Sequence, residues 1–146
     1  MSGGVLMVCT ANVCRSPVAQ VLLASRMPGV AVASAGVRAF AGRAADALAV
    51  RLMATRGLDL STHAATPLAE RHVRDAALIL TMTREQRDAL VRAWPHAQGK
   101  VQRLGEAGGF DVVDPYRRNP FIFELAIAQI EQGLADWRHA IGQLSR

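Results

Sequence analysis

The sequence predicts an α/β fold, a parallel β-sheet with helices on both faces and an anion-binding loop after its first strand. Three observations carry this. Apolar runs alternate with helix-like segments along the chain, the pattern of a parallel sheet wound with helices. The run Ala76-Ala77-Leu78-Ile79-Leu80-Thr81-Met82 is almost continuously apolar, as in a strand covered on both faces. Finally, Cys9-Thr10-Ala11-Asn12-Val13-Cys14-Arg15-Ser16 stands between an apolar run and a helix start. That layout aims backbone N–H groups and a helix N-terminus at one point.

The elements follow in order. Val5–Val8 reads as a buried strand. Ser16 is suited to an N-cap and Pro17 to the first helical position, opening a helix to Met27. Val30–Ser34 is a second strand. A helix spans about 45–56, with Gly57 as its C-cap. Ala76–Met82 is the third strand, and Thr83 with Gln86 forms a capping box for a helix that stops near Trp94-Pro95. Lys100–Leu104 is a weak fourth strand. From Pro120 to Gln143, Phe123, Ile127, Ile130, Leu134, Trp137 and Ile141, continued by Leu144, make one apolar stripe at spacings of four and three. Such a stripe packs a helix against its own sheet. Gly133 interrupts it.

The 146 residues are 51% hydrophobic and 20% charged, which suits one globular domain over 1–146. No apolar run reaches the roughly 18 residues of a membrane span, and no secretory signal is read. Two cysteines five positions apart make no disulfide framework and fit a reduced, cytoplasmic protein. The net charge is +5, from sixteen Arg and one Lys against twelve acidic residues. The arginines are scattered and lack interleaved aromatics, so nucleic acid is not the expected partner. Attraction toward acidic or phosphorylated substrates accounts for the charge equally well.

The loop carries the chemistry. Arg15 is able to donate two parallel hydrogen bonds to phosphate oxygens. The same field stabilises a thiolate at Cys9, a nucleophile. Thr10 through Ser16 would cradle the anion. An anion cradle holding a nucleophile points to phosphoryl transfer onto cysteine. The leaving group then needs a proton, and Asp114 in Asp114-Pro115-Tyr116 is the candidate donor, with the loop 105–119 able to bring it to the cradle. Afterwards the same carboxylate serves as base toward water. No His, Cys and carboxylate cluster has metal-ligand spacing, so neither metal nor other cofactor is expected.

Cys9 to Pro17, Ser34-Ala35-Gly36, Leu60-Ser61-Thr62-His63-Ala64 and Asp114-Pro115-Tyr116 occur in the order and spacing of the low-molecular-weight protein tyrosine phosphatases. The resemblance covers essentially the whole chain. It is nearest the bacterial branch associated with exopolysaccharide and capsule synthesis, because Arg117-Arg118 follows Tyr116 where a second aromatic would otherwise stand. The resemblance implies a three-layer α-β-α fold on a four-stranded parallel sheet and a cysteinyl-phosphate intermediate. It makes Cys9 the nucleophile, Arg15 the transition-state clamp and Asp114 the acid. It implies that Ser16 donates to the thiolate, and that Asn12, Ser34 and His63 hold the loop's shape through mutual hydrogen bonds. It also implies phosphotyrosine proteins as substrates, a tyrosine autokinase of polysaccharide export among them.

Phe40 and Tyr116 are candidate walls of a slot deep enough for a phenyl ring, and Phe40 suits the core equally well. Cys14 is either inert packing or a partner that traps oxidised Cys9 as a disulfide. His72, His96 and His139 show no pairing pattern and read as surface residues. The chain departs from the family at Ala11, where glycine is usual. Alanine there would cost about 1 kcal/mol or more if the position needs positive φ. The residues argue against two other functions. An arsenate reductase relay needs cysteines beyond Cys14, and a non-catalytic phosphotyrosine-binding module has no need of Cys9, Arg15 and Asp114 together.

Overall fold

A computed structural model describes residues 3–144. Four parallel strands are arranged β2-β1-β3-β4: β1 (Val5–Cys9), β2 (Val32–Gly36), β3 (Leu78–Thr81) and β4 (Val101–Arg103). The helices are α1 (Arg15–Arg26), α2 (Ala47–Ala54), α3 (Glu70–Asp75), α4 (Arg84–Ala93), a 3-10 turn (Pro95–Lys100) and α5 (Pro120–Leu144).

The layers follow from the two-residue period of β1. Val5, Met7 and Cys9 face a core shared with α1, α2 and α5, while Leu6 and Val8 face a second core with Val73 of α3 and Leu90 of α4. Every β1 residue is buried, which explains its uninterrupted apolar sequence. The α5 stripe lies on the first core as expected, with Phe123, Ile127, Ile130, Leu134 and Ile141 buried. Gly133 has a packing role: a Cβ there would sit 2.6 Å from Leu104 Cγ, so glycine lets α5 approach the end of β4. Trp137 Nε1 then donates to the Leu104 carbonyl at 2.9 Å.

Several boundaries differ from the sequence reading. α1 starts at Arg15, with Cys14 at the N-cap and no side chain capping it. Ser16 is not the cap because its hydroxyl bonds Cys9 and Asn12 instead. Pro17, two positions further in than expected, still lies within the first turn, whose N–H groups lack helical partners. β2 is displaced by two residues toward Gly36, and β3 is shorter than its apolar run. α2 ends at Ala54, and Gly57 at φ +75 closes the turn beyond it. The Thr83/Gln86 capping box is present. α3 and the 3-10 turn were not anticipated. α3 is six residues, too short for a clear period, and His72 Nδ1 caps it by accepting from the Ala69 N–H at 2.9 Å. His72 is thus half-buried, whereas His96 and His139 are exposed.

Candidate active site

β1 delivers the chain to Cys9 at the carboxyl edge of the sheet, and α1 takes it away from Arg15. Between them the loop's carbonyls are tied outward. Cys9 O accepts from Val37 N at 3.0 Å, Thr10 O from Arg38 N at 2.9 Å, Val13 O from Asp46 N at 2.9 Å and Cys14 O from Val18 N at 3.1 Å. His63 Nε2 lies 2.7 Å from Asn12 O, which only accepts, so the ring carries its proton on Nε2. With these carbonyls tied outward, the loop's N–H groups are free to turn inward, the concavity that binds an oxyanion. The Asn12 N–H lies 3.3 Å from Cys9 Sγ.

Asn12 is the keystone. It has φ 59 and is fully buried. Asparagine tolerates this left-handed conformation better than most residues. Its Nδ2 donates to Ser16 Oγ at 2.8 Å and Ser34 Oγ at 3.0 Å, and its Oδ1 accepts from Thr66 N at 2.9 Å. Ser34 in turn donates to Gln20 Oε1 at 2.6 Å. The four positions expected to support the loop, Asn12, Ser16, Ser34 and His63, thus share one network. Ala11 carries no positive φ, because the loop makes its left-handed turn at Asn12. The strain anticipated at Ala11 is therefore absent. Glycine is needed at Gly36 instead. It pairs with Cys9 in the sheet register, and a Cβ on it would lie 2.6 Å from Thr10 O and 2.9 Å from Asn12 N.

Arg15 is 6% exposed and donates through Nη1 to Val112 O at 3.1 Å, which aims the guanidinium across the cradle. Its Nη2 lies 3.7 Å from Asp114 Oδ2, on a side chain 60% exposed. The Tyr116 N–H donates to Asp114 Oδ1 at 3.1 Å and orients the carboxylate. Ser16 Oγ is 2.8 Å from Cys9 Sγ. A cavity of about 140 Å³ over the sulfur is lined by Thr10, Ala11, Val13, Arg15, Asp114 and Tyr116 among others.

Tyr116 is gripped by two arginines. Arg43 Nη2 donates to its hydroxyl at 2.7 Å, and the Arg43 and Arg117 guanidinium carbons lie 5.6 and 5.3 Å from the ring centre. The Arg43 hydrogen bond, then Arg117, lowers the phenol below its ordinary range. Phe40, the other expected wall, does not line this cavity. It is 75% exposed, in the loop between β2 and α2, and so is not a core residue either. Cys14 is a free, buried thiol; burial, and then Asp46, push its ionisation up strongly.

Sequence reading missed three contributors: Gln86, Thr66 and Arg43. Gln86 caps α4 as expected, but its Nε2 also donates to Thr10 Oγ1 at 3.0 Å. The capping signal concealed this second use. Thr66 acts through its backbone, which leaves no mark on residue type.

A loop so tied turns a sulfur nucleophile on whatever oxyanion it holds, which makes the molecule a cysteine-dependent phosphatase. The family model described as low molecular weight phosphotyrosine protein phosphatase matches residues 4–145. A Ralstonia solanacearum protein, "Probable low molecular weight protein-tyrosine-phosphatase EpsP", is 45% identical over 133 residues, 91% of this chain and 92% of its own. The structure of Erwinia amylovora tyrosine phosphatase AmsI matches with a TM-score of 0.89 and 33% identity, covering 96% of this chain and 93% of that one. The YwlE arginine phosphatase of Geobacillus stearothermophilus matches with a TM-score of 0.88 and 30% identity, covering 95% and 92%. The chain belongs to the low molecular weight phosphotyrosine protein phosphatase family, and its activity is phosphotyrosine hydrolysis by a cysteine nucleophile.

Proposed function

We propose that residues 1–146 act as one cytoplasmic phosphatase domain whose substrate is a phosphotyrosine protein, an autophosphorylating tyrosine kinase of polysaccharide synthesis or export. Cys9 sulfur attacks phosphorus as the phosphorus–oxygen bond to the tyrosine breaks. Asp114 gives its proton to the departing phenolic oxygen, and Arg15 holds the equatorial oxygens. Water then attacks the cysteinyl phosphate, Asp114 takes the water's proton, and the sulfur–phosphorus bond breaks. Ser16 donates to the thiolate as it leaves. The observation that carries this reading is the convergence of Cys9, Arg15 and Asp114 on one cavity, with the buried Ser16 Oγ 2.8 Å from the sulfur.

Tyr116 is the wall of that cavity suited to a phenyl ring. Reach favours phosphotyrosine over the shorter phosphoserine. The likeness to an arginine phosphatase raises phosphoarginine as a second substrate. Its guanidinium needs acceptors, but Asp114, the carboxylate lining the cavity, is taken by the acid role, and Arg43 and Arg117 add positive charge beside Tyr116. The test compares kcat/KM for matched phosphotyrosine, phosphoserine and phosphoarginine peptides. Phosphotyrosine should lead by at least about 10²-fold, a difference of about 2.7 kcal/mol. Equal rates on phosphoarginine would overturn the phosphotyrosine assignment. Failure to dephosphorylate the autophosphorylated kinase domain would remove the kinase alone.

A further inference from the structure

A second cavity, about 560 Å³, opens beside the cradle and is not used by the chemistry described above. It shares Thr10, Arg15 and Asp114 with the smaller cavity over Cys9, so the two are continuous. Its place follows from the sheet order. The chain runs from β1 outward to β2 and then crosses back to β3 on the other side of β1. Open α/β sheets bind ligands outside the strand carboxyl ends at such a reversal. Thr10 follows β1 and Gln86 lies in the first turn of α4 after β3, and their hydrogen bond bridges this crevice.

The walls are largely apolar. Val37 and Leu68 come from the β2 side, and Ala89 and Trp94 from α4 and its end. Leu68 and Trp94 are only half-buried. Arg38 and Glu85, both exposed, put one charge of each sign at the rim. Gln86, on its floor, is held by three hydrogen bonds: its Oε1 accepts from Met82 N and Thr83 N, each at 3.0 Å, and its Nε2 donates to Thr10 Oγ1 at 3.0 Å. The volume lies within the range of ligand clefts, whereas the cavity over Cys9 has room for little beyond a phosphorylated ring.

We propose that this groove is a substrate subsite that takes one large apolar side chain flanking the phosphotyrosine of the target protein. The inference rests on the phosphotyrosine reading of the cradle. Continuity through Asp114 and Thr10 sets the occupant: a chain whose phosphate lies on Arg15 has its neighbouring residues at the mouth of the groove. Rim charges of both signs, rather than one sign, fit the neutral backbone of an extended segment.

The experiment uses the full chain and phosphotyrosine peptides carrying Leu, Phe or Ala at each flanking position, with a small aryl phosphate as reference. At one flanking position Leu or Phe should raise kcat/KM over Ala by at least about 10-fold. Ala89→Phe, which fills the groove, and Leu68→Ser, which makes its wall polar, should each abolish that preference. Aryl phosphate turnover should stay within about twofold in both variants, which also reports that they fold. A flat response to the flanking residue in the unaltered enzyme would overturn the subsite while leaving the phosphatase reading intact. Aryl phosphate turnover falling in step with peptide turnover, in variants that melt as the unaltered protein does, would overturn it too, because the groove would then hold the ring or shape the cradle. Failure to hydrolyse phosphotyrosine at all would overturn both readings.

Discussion

Ser16 Oγ lies 2.8 Å from Cys9 Sγ and accepts from Asn12 Nδ2 at the same distance. With one lone pair engaged by Asn12, the hydroxyl proton is free to point at a sulfur that carries charge. This matters most when the cysteinyl phosphate breaks down and thiolate is the leaving group. Ser16→Ala should slow breakdown more than formation, by about 10- to 100-fold, the worth of one hydrogen bond to a charged group. Rapid-quench kinetics would show the phosphoenzyme accumulating in the variant. Formation slowed as much as breakdown would instead assign Ser16 to loop shape alone.

Asp114 sits 3.7 Å from Arg15 on a side chain 60% exposed and lines the cavity over Cys9. A nitrophenolate leaves with little help, while tyrosine's phenolate, with a pKa near 10, needs a proton. Asp114→Asn should therefore steepen the dependence of rate on leaving-group pKa. The measurement is that slope across a series of aryl phosphates. Equal slopes in both enzymes would remove Asp114 from the acid role.

Gly36→Ala should damage the cradle without touching substrate. The new Cβ would meet backbone atoms, Thr10 O at 2.6 Å and Asn12 N at 2.9 Å, which have no freedom to swing aside as a side-chain end has. A cradle displaced by about 1 Å should lose about 10²-fold in kcat/KM. Alkylation of Cys9 by iodoacetate should slow as well, since the inward N–H groups guide the anion to the sulfur. Normal kinetics in this variant would show that the loop has slack that its hydrogen bonds do not suggest.

His72 caps α3 through Nδ1, and burial, reinforced by Arg71, lowers its ionisation below the ordinary histidine value. The folded protein thus prefers the neutral ring. The stabilisation is complete above the unfolded value of about 6.5 and is lost as pH falls toward and through the lower folded value. Urea midpoints should drop from pH 7 to pH 5. His72→Gln keeps an acceptor for the Ala69 N–H without titrating. The part of the drop due to this ring should disappear in that variant, and an unchanged pH profile would show that the cap is not coupled to folding.

The long periodic elements were legible because their signals are local. The β1 run, the α5 stripe and the Thr83/Gln86 box each record burial or capping in residue type. The cradle was legible for a different reason: Cys9, Arg15 and the helix start lie within one short segment. What escaped depends on tertiary partners. Ser16 resembles an N-cap in sequence but is diverted to Cys9, so α1 begins two residues earlier than its Ser-Pro signal suggests. The positive φ falls on Asn12 rather than Ala11, since Asn12 has the bonds to Thr66, Ser16 and Ser34 that hold such a turn. Phe40 is an apolar residue in a loop, and nothing in residue type distinguishes a pocket wall from the exposed side chain it is.

The most direct test of the whole account is the covalent intermediate. A phosphotyrosine peptide labelled with ³²P is mixed with the enzyme, quenched in acid within one turnover, digested and mapped. The label should be found on Cys9 as an acid-stable, iodine-labile thiophosphate ester, and Cys9→Ser should show no turnover while melting as the unaltered protein does. Label on a histidine or an aspartate, or turnover surviving in Cys9→Ser, would contradict the mechanism at its first step.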